Sequence, residues 1–372
     1  MTALELNSAK AGRSRSKRVT NASELELRRP QNPVRPYPYR EQEVSYSNPA
    51  GKIQLGATLT IPPGKGPFPA VLLIAGSGPH DRDESIMGHK PFLVLADYLT
   101  RKGIVVLRAD KRGIGKSAGD YSQAVMADFA SDAEAGVAYL KTRVEVDPRK
   151  IGLVGHSEGG IEAPMAAAHN PDVAFIVLMA GPGVRGDQLL PEQLRLIEQA
   201  SGKSADEIEK DLATQREVLA VLEKDKDDAL LEKDLREKFT GKVPEAQIGM
   251  QVKAVSSPWF RGLLEYDPAV TLSKLTCPVL AINGEKDLQV PPGQNLPPIR
   301  KALEAAGNKN SEVVELPGLN HLFQTAKTGA VGEYSEIEET MSPLALEKVA
   351  SWIVKQTASH DMRHVAGNRP LN

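Results

Sequence analysis

Short apolar runs alternate with amphipathic stretches along most of this chain. Residues 44–46 and 53–61 flank Asn48-Pro49-Ala50-Gly51, a pattern that predicts an antiparallel hairpin. Residues 70–74 form a continuous apolar run, as in a strand covered on both faces. Phe92, Leu95, Ala96 and Leu99 then recur at the spacing of one helical face. Residues 104–107 predict the next strand, and Phe129, Ala133, Val137 and Leu140 the next helical face. Further strands are expected at 151–154, 174–179, 279–282 and 313–316, with a helix around 299–306. Ser342-Pro343 reads as a helix cap with proline at the first helical position, ahead of Leu346, Val349, Ala350 and Ile353. Such alternation predicts an α/β fold: a mostly parallel, doubly wound sheet with an N-terminal antiparallel hairpin.

One block breaks the rhythm. Residues 183–266 hold no convincing strand, and 204–238 are dense in Lys, Glu, Asp and Leu. The block predicts helices inserted between two strands. Leaving the C-terminal end of a strand, where open α/β sheets place their ligands, it is expected to cap the active site. The core is then assigned to 39–182 and 267–356, with the cap at 183–266.

The two ends read differently. The first thirty residues carry seven basic and three acidic side chains and no apolar run, so they lack the hydrophobic segment of a secretory signal. A leader and linker outside the fold are expected over 1–38, stiffened by Pro30, Pro33, Pro36 and Pro38. As written, the chain reads as cytoplasmic; a removed leader would instead imply the periplasm or secretion. Residues 357–372 are expected to form a flexible tail, aperiodic from His360.

Composition narrows the function classes. Lys+Arg 46 against Asp+Glu 48 gives no basic surplus, which argues against nucleic acid as a partner. The single cysteine, Cys277, excludes an intrachain disulfide and a cysteine-rich metal site. No apolar run approaches the roughly 18 residues of a membrane span. Nothing in the sequence indicates the oligomeric state.

The chemistry centres on Gly155-His156-Ser157-Glu158-Gly159-Gly160, which follows a predicted strand and precedes an Ala-rich helix. G-x-S-x-G in that context is a nucleophile elbow: a turn sharp enough to strain and expose Ser157, made possible by flanking glycines. Pro164 in the helix that follows predicts a kink or a shortened first segment. A serine hydroxyl needs a base, and the base an orienting acid, in the chain order Ser, acid, His. Of seven histidines only His321, His360 and His364 follow a late strand, and the last two lie in the expected tail. His321, in the loop after the last strand, is therefore the base. The acid should leave the strand at 279–282, where Asn283-Gly284-Glu285-Lys286-Asp287 offers Glu285 and Asp287. Asp287, beyond the turn, is better placed to reach back.

Acyl transfer also needs donors for an oxyanion. The main-chain N–H of Glu158 should supply one, and Ser77 in Gly76-Ser77-Gly78-Pro79 the other, with Gly78 second. Trp259 and Phe260, where the insertion returns to the sheet, read equally as ordinary core or as an aromatic wall for substrate, and Gly78 as a further substrate contact. Gly115-Lys116-Ser117 ends like a phosphate loop, but the required earlier glycine is Asp110. His80-Asp81-Arg82-Asp83 reads as an ion-pair network and not a metal site. No metal and no cofactor are called for.

With these residues placed, the chain resembles bacterial α/β-hydrolases on the prolyl-oligopeptidase and dienelactone-hydrolase side of the superfamily, mostly described as carboxylesterases. The resemblance spans roughly residues 39–355. It rests on Gly76-Ser77-Gly78-Pro79 with Asp81-Arg82-Asp83, on Asp110-Lys111-Arg112-Gly113-Ile114-Gly115-Lys116-Ser117 and on the elbow. It continues in Ser257-Pro258-Trp259-Phe260, in Asn283-Gly284-Glu285-Lys286-Asp287 and in Asn320-His321. It implies Ser157, Asp287 and His321 as the triad, a helical cap, and a small ester as substrate. Aminopeptidase, amidase, thioesterase and acyltransferase chemistry use the same triad and stay open. A non-catalytic binding module is disfavoured by the full triad, and dehalogenase chemistry by serine at the elbow.

Overall fold

The computed structural model describes residues 28–224 and 227–367, with side chains to residue 358. Eight strands form one sheet: β1 (Arg40–Asn48), β2 (Ile53–Ile61), β3 (Phe68–Ile74), β4 (Val105–Ala109), β5 (Val146–His156), β6 (Phe175–Met179), β7 (Val279–Gly284) and β8 (Glu312–Leu316). Their order is β1-β2-β4-β3-β5-β6-β7-β8. The β1–β2 and β2–β4 pairs are antiparallel, and every pair from β4–β3 to β7–β8 is parallel. All eight expected strands are present, and the expected hairpin is β1–β2.

Helices cover both faces, and the period of two along β3 decides which side chain goes where. Ala70, Leu72 and Ile74 join a core with residues of α2 (Met126–Lys141), α3 (Gly159–His169) and α10 (Pro292–Ala305). Val71, Leu73 and Ala75 face α1 (Pro91–Arg101) and α11 (Pro343–Gly367) in a second core. Each fully buried Leu or Ile there contributes about 1.5–3 kcal/mol. Ser342 caps α11 as expected, its hydroxyl accepting from the Leu344 N–H at 3.3 Å.

Between β6 and β7 the alternation stops, and α4 (Gly186–Ala200), α5 (Ala205–Lys224), α6 (Asp228–Phe239), α7 (Glu245–Val255) and α8 (Pro258–Glu265) follow, then the short α9 (Pro268–Leu272). Helices α4–α8 share a core of their own, including Leu190, Val221, Leu235, Phe239, Val252 and Phe260, to which no sheet residue contributes.

Three local expectations need correction. Helix α3 runs from Gly159 to His169 through Pro164, without the shortened first segment that was one of the two expected outcomes. Helix α11 continues to Gly367, past the point where an aperiodic tail was expected. The leader assigned to 1–38 lies outside the described residues only up to residue 27; beyond that the chain is tied down. Arg29 donates to the Ser335 and Ile337 carbonyls at 2.9 and 3.1 Å, and Gln31 Oε1 accepts the Thr340 N–H at 2.6 Å. Among the described residues no helix is long and apolar enough to cross a membrane.

Candidate active site

Strand β5 ends at His156, and α3 begins two residues after Ser157. The turn forces Ser157 to φ 53°, a left-handed conformation rare for a residue with a Cβ. Two hydrogen bonds fix it there: Ser157 N–H donates to the Met179 carbonyl at 2.9 Å, and Gly160 N–H to the Ser157 carbonyl at 2.9 Å. The flanking glycines are required by contact. A Cβ on Gly155 would lie 2.0 Å from the Gly159 carbonyl oxygen, and one on Gly159 would lie 2.1 Å from that of Ile74. Strain held in place by such packing is typical of a functional site.

His321 follows β8 on a loop tightened by Asn320, whose Oδ1 accepts the Leu322 and Gln324 N–H groups at 3.1 and 2.9 Å. The acid loop is laced to it, with Lys286 N–H donating to the Leu319 carbonyl at 2.8 Å. Asp287, 1% exposed, accepts His321 Nδ1–H on Oδ2 at 2.8 Å. Its Oδ1 takes the Gln289 and Val290 N–H groups at 2.8 and 2.9 Å. Glu285 instead accepts the Gly318 N–H at 2.7 Å near the surface. With Nδ1 engaged, the remaining His321 nitrogen, Nε2, is the one left for proton transfer.

Ser157 and His321 line one cavity of about 630 Å³. Among the described hydrogen bonds none joins Ser157 Oγ to His321. Ser77 also lines the cavity. The Gly76 N–H is held by Glu84 at 2.6 Å and the Gly78 N–H by the Tyr121 hydroxyl at 3.0 Å. Among the described hydrogen bonds, none uses the main-chain N–H of Ser77 or of Glu158. Gly78, whose N–H is engaged by Tyr121, does not belong to the lining of this cavity.

Trp259 and Phe260 do not belong to the lining of the Ser157 cavity. Phe260 is buried in the helical layer, lining a separate apolar cavity of about 130 Å³. Trp259 packs beside it, ring centroids 6.3 Å apart, and donates its indole N–H to the Glu158 carboxylate. A half-buried indole N–H needs an acceptor, and Glu158 is the one within reach. The apolar wall of the Ser157 cavity comes instead from Ile86, Met87, Ile197, Leu322 and Val331.

Three buried ionisable groups around the elbow carry no periodic signal in the sequence. Lys111 Nζ donates to the Gly76 carbonyl at 2.7 Å and to Glu158 Oε2 at 3.0 Å, 4.6 Å from the Phe129 ring centre. It thereby bridges the two segments that carry Ser77 and Glu158. Burial opposes its charge, but Glu158 and Glu162 raise its pKa above the ordinary lysine value. His156 and Glu84 form the other pair. The ion-pair reading of Asp81-Arg82-Asp83 matches the structure: Arg82 contacts Asp110 at 2.7 Å and Asp83 pairs with Arg108. Among the described residues, no group of three His, Cys, Asp or Glu side chains is placed to hold a metal.

Glu162 gives a pH-dependent prediction. Both carboxylate oxygens are buried without a hydrogen-bond partner, and burial raises the pKa well above the carboxylic value. Its folded pKa exceeds its unfolded one, so native stability is highest while it stays protonated and falls as pH rises toward the folded value. Glu162→Gln should therefore raise Tm at about pH 8 and change it little at about pH 5. Thermal melts at both values check this, and an equal shift at both would contradict it.

A mostly parallel sheet with strand β5, a strained serine turn and α3 in series defines an α/β-hydrolase. The sequence profile of the family described as serine aminopeptidase, S33, matches residues 90–325, more than half the chain, and the chain belongs to that family. It is 29% identical over 322 residues to Esterase EstD of Thermotoga maritima, covering 87% of this chain and 69% of the relative. Its fold is shared with the Pyrococcus furiosus esterase Pf2001 at a TM-score of 0.54 and 16% identity, over 86% of this chain and 91% of that one.

Proposed function

We propose that this chain hydrolyses carboxylic esters of small molecules in two steps through an acyl-enzyme on Ser157. His321 takes the Ser157 proton as the hydroxyl attacks the carbonyl carbon, then gives it to the departing alcohol; water follows the same route in reverse. Asp287 holds the imidazole in the tautomer with Nε2 free, and the Ser77 and Glu158 N–H groups receive the oxyanion. The observation that carries this reading is the strained Ser157 elbow sharing one cavity with a histidine locked to a buried carboxylate. Helices α4–α8 act as a cap, since Ile197 of α4 helps to wall the cavity. The esterase relative supports the substrate class.

Aminopeptidase action is the second reading, favoured by the family's description. It requires a carboxylate to hold a substrate ammonium. Of the cavity's carboxylates, Glu84 is engaged by His156 and Gly76, and Glu198 by Lys203 at 2.6 Å. A panel of p-nitrophenyl esters and aminoacyl anilides separates the two. Ester turnover should exceed anilide turnover by orders of magnitude, and preferred anilide cleavage would transfer the protein to the second class.

A further inference from the structure

Glu84 belongs to no element of regular structure, yet it is 2% exposed and sits at φ 53°. A buried carboxylate on strained backbone needs a reason. Its Oε1 accepts the Gly76 N–H at 2.6 Å and faces His156 Nδ1 at 2.9 Å. The other ring nitrogen, His156 Nε2, faces the main-chain carbonyl of His321 at 3.0 Å. The two imidazoles lie with centroids 4.9 Å apart.

Resting on the acyl-enzyme reading above, we propose that Glu84 and His156 form a second carboxylate–imidazolium pair that positions the catalytic apparatus. A carbonyl oxygen only accepts, so Nε2 must carry a proton. An ionised carboxylate only accepts, so Nδ1 must carry one too. His156 is then an imidazolium held between two acceptors. The pair joins three segments the chemistry needs in register: the loop before Ser77, the end of β5 before Ser157, and the main chain of His321. Charge-assisted bonds are shorter and stronger than neutral ones, which suits a brace.

Electrostatics agree. Burial alone would lower the His156 pKa, but Glu84 raises it above the ordinary imidazole value. Burial alone would raise that of Glu84, but His156, His80 and the Gly76 N–H hold it below the carboxylic value. The other titratable groups facing the pair are Lys111, near His80, and Asp287 and His321 on the His156 side.

Neither residue reaches the reacting atoms in this scheme, so both are positioning residues. The test is nitrogen-15 NMR of histidine-labelled full-length protein, with the His156 signals assigned by their loss in His156→Gln. Both ring nitrogens should stay protonated above the pH at which a free imidazole becomes neutral. A single neutral tautomer at about pH 8 would overturn the proposal. In Glu84→Gln one amide oxygen can keep both the Gly76 N–H and the His156 Nδ1–H, as one carboxylate oxygen does now, but the negative charge that stabilises the imidazolium is gone. The imidazolium signature should vanish, and kcat should fall roughly ten- to a hundredfold, since oxyanion donors act in the transition state. KM should stay within about twofold. Unchanged kcat, or a loss confined to KM, would refute the positioning role. If Glu84→Gln fails to fold, the wild-type spectrum and His156→Gln kinetics still decide. Failure of Ser157 to take an acyl-type label would overturn the acyl-enzyme reading and leave the NMR result standing, so the two failures are distinguishable.

Discussion

Ser157→Ala should lower ester turnover on the order of 10⁶-fold, the scale at which a nucleophile that acts with its base is lost. The side chain is small and the elbow is set by main-chain bonds to Met179 and Gly160, which alanine keeps. Alanine at φ 53° carries the same Cβ strain as serine, so circular dichroism and Tm should barely move. A fluorophosphonate probe should add one label to wild type, on the peptide that holds Ser157, and none to the variant. Labelling or turnover that survives the substitution would place the nucleophile elsewhere.

Asp287→Asn should cost about ten-thousand-fold in kcat, for a reason visible in the hydrogen bonds. Oδ1 is committed to two main-chain donors, Gln289 and Val290. An asparagine must place its oxygen there, because an NH₂ would meet N–H groups head-on. Its NH₂ then faces His321 Nδ1, which has to accept. The proton moves to Nε2, and the base faces the serine already protonated. Glu285→Gln keeps an acceptor for the Gly318 N–H at an exposed position and should change kcat by less than about threefold. Steady-state kinetics on both variants decide between the two acids, and the reverse pattern would give the role to Glu285.

Order along the chain and local chemistry were enough to find the strands and the elbow, and to name Asp287 and His321, which hydrogen-bond to each other. Strand–helix alternation is written in hydrophobic period, and a G-x-S-x-G turn leaves its glycines in the sequence because contacts of about 2 Å exclude any other residue. The braces were not legible. Glu84, Lys111 and His156 act through tertiary contacts, and Glu84 reaches His156 across 72 positions with no repeat or spacing to announce it. Trp259 carried two readings for a related reason: an aromatic at the end of an insertion is equally suited to lining a cavity or to covering a carboxylate. Only the position of Glu158, beneath its indole, separates the two.

The helical layer over the sheet has one more consequence. Among the described residues its apolar core is drawn from α4 to α8 and the connection that holds Val243, with no strand residue in it. A segment with its own core can open and close as a cooperative unit, at a free-energy cost smaller than that of global unfolding. Such openings would bare the mouth of the Ser157 cavity while β5 and α3 keep the elbow intact.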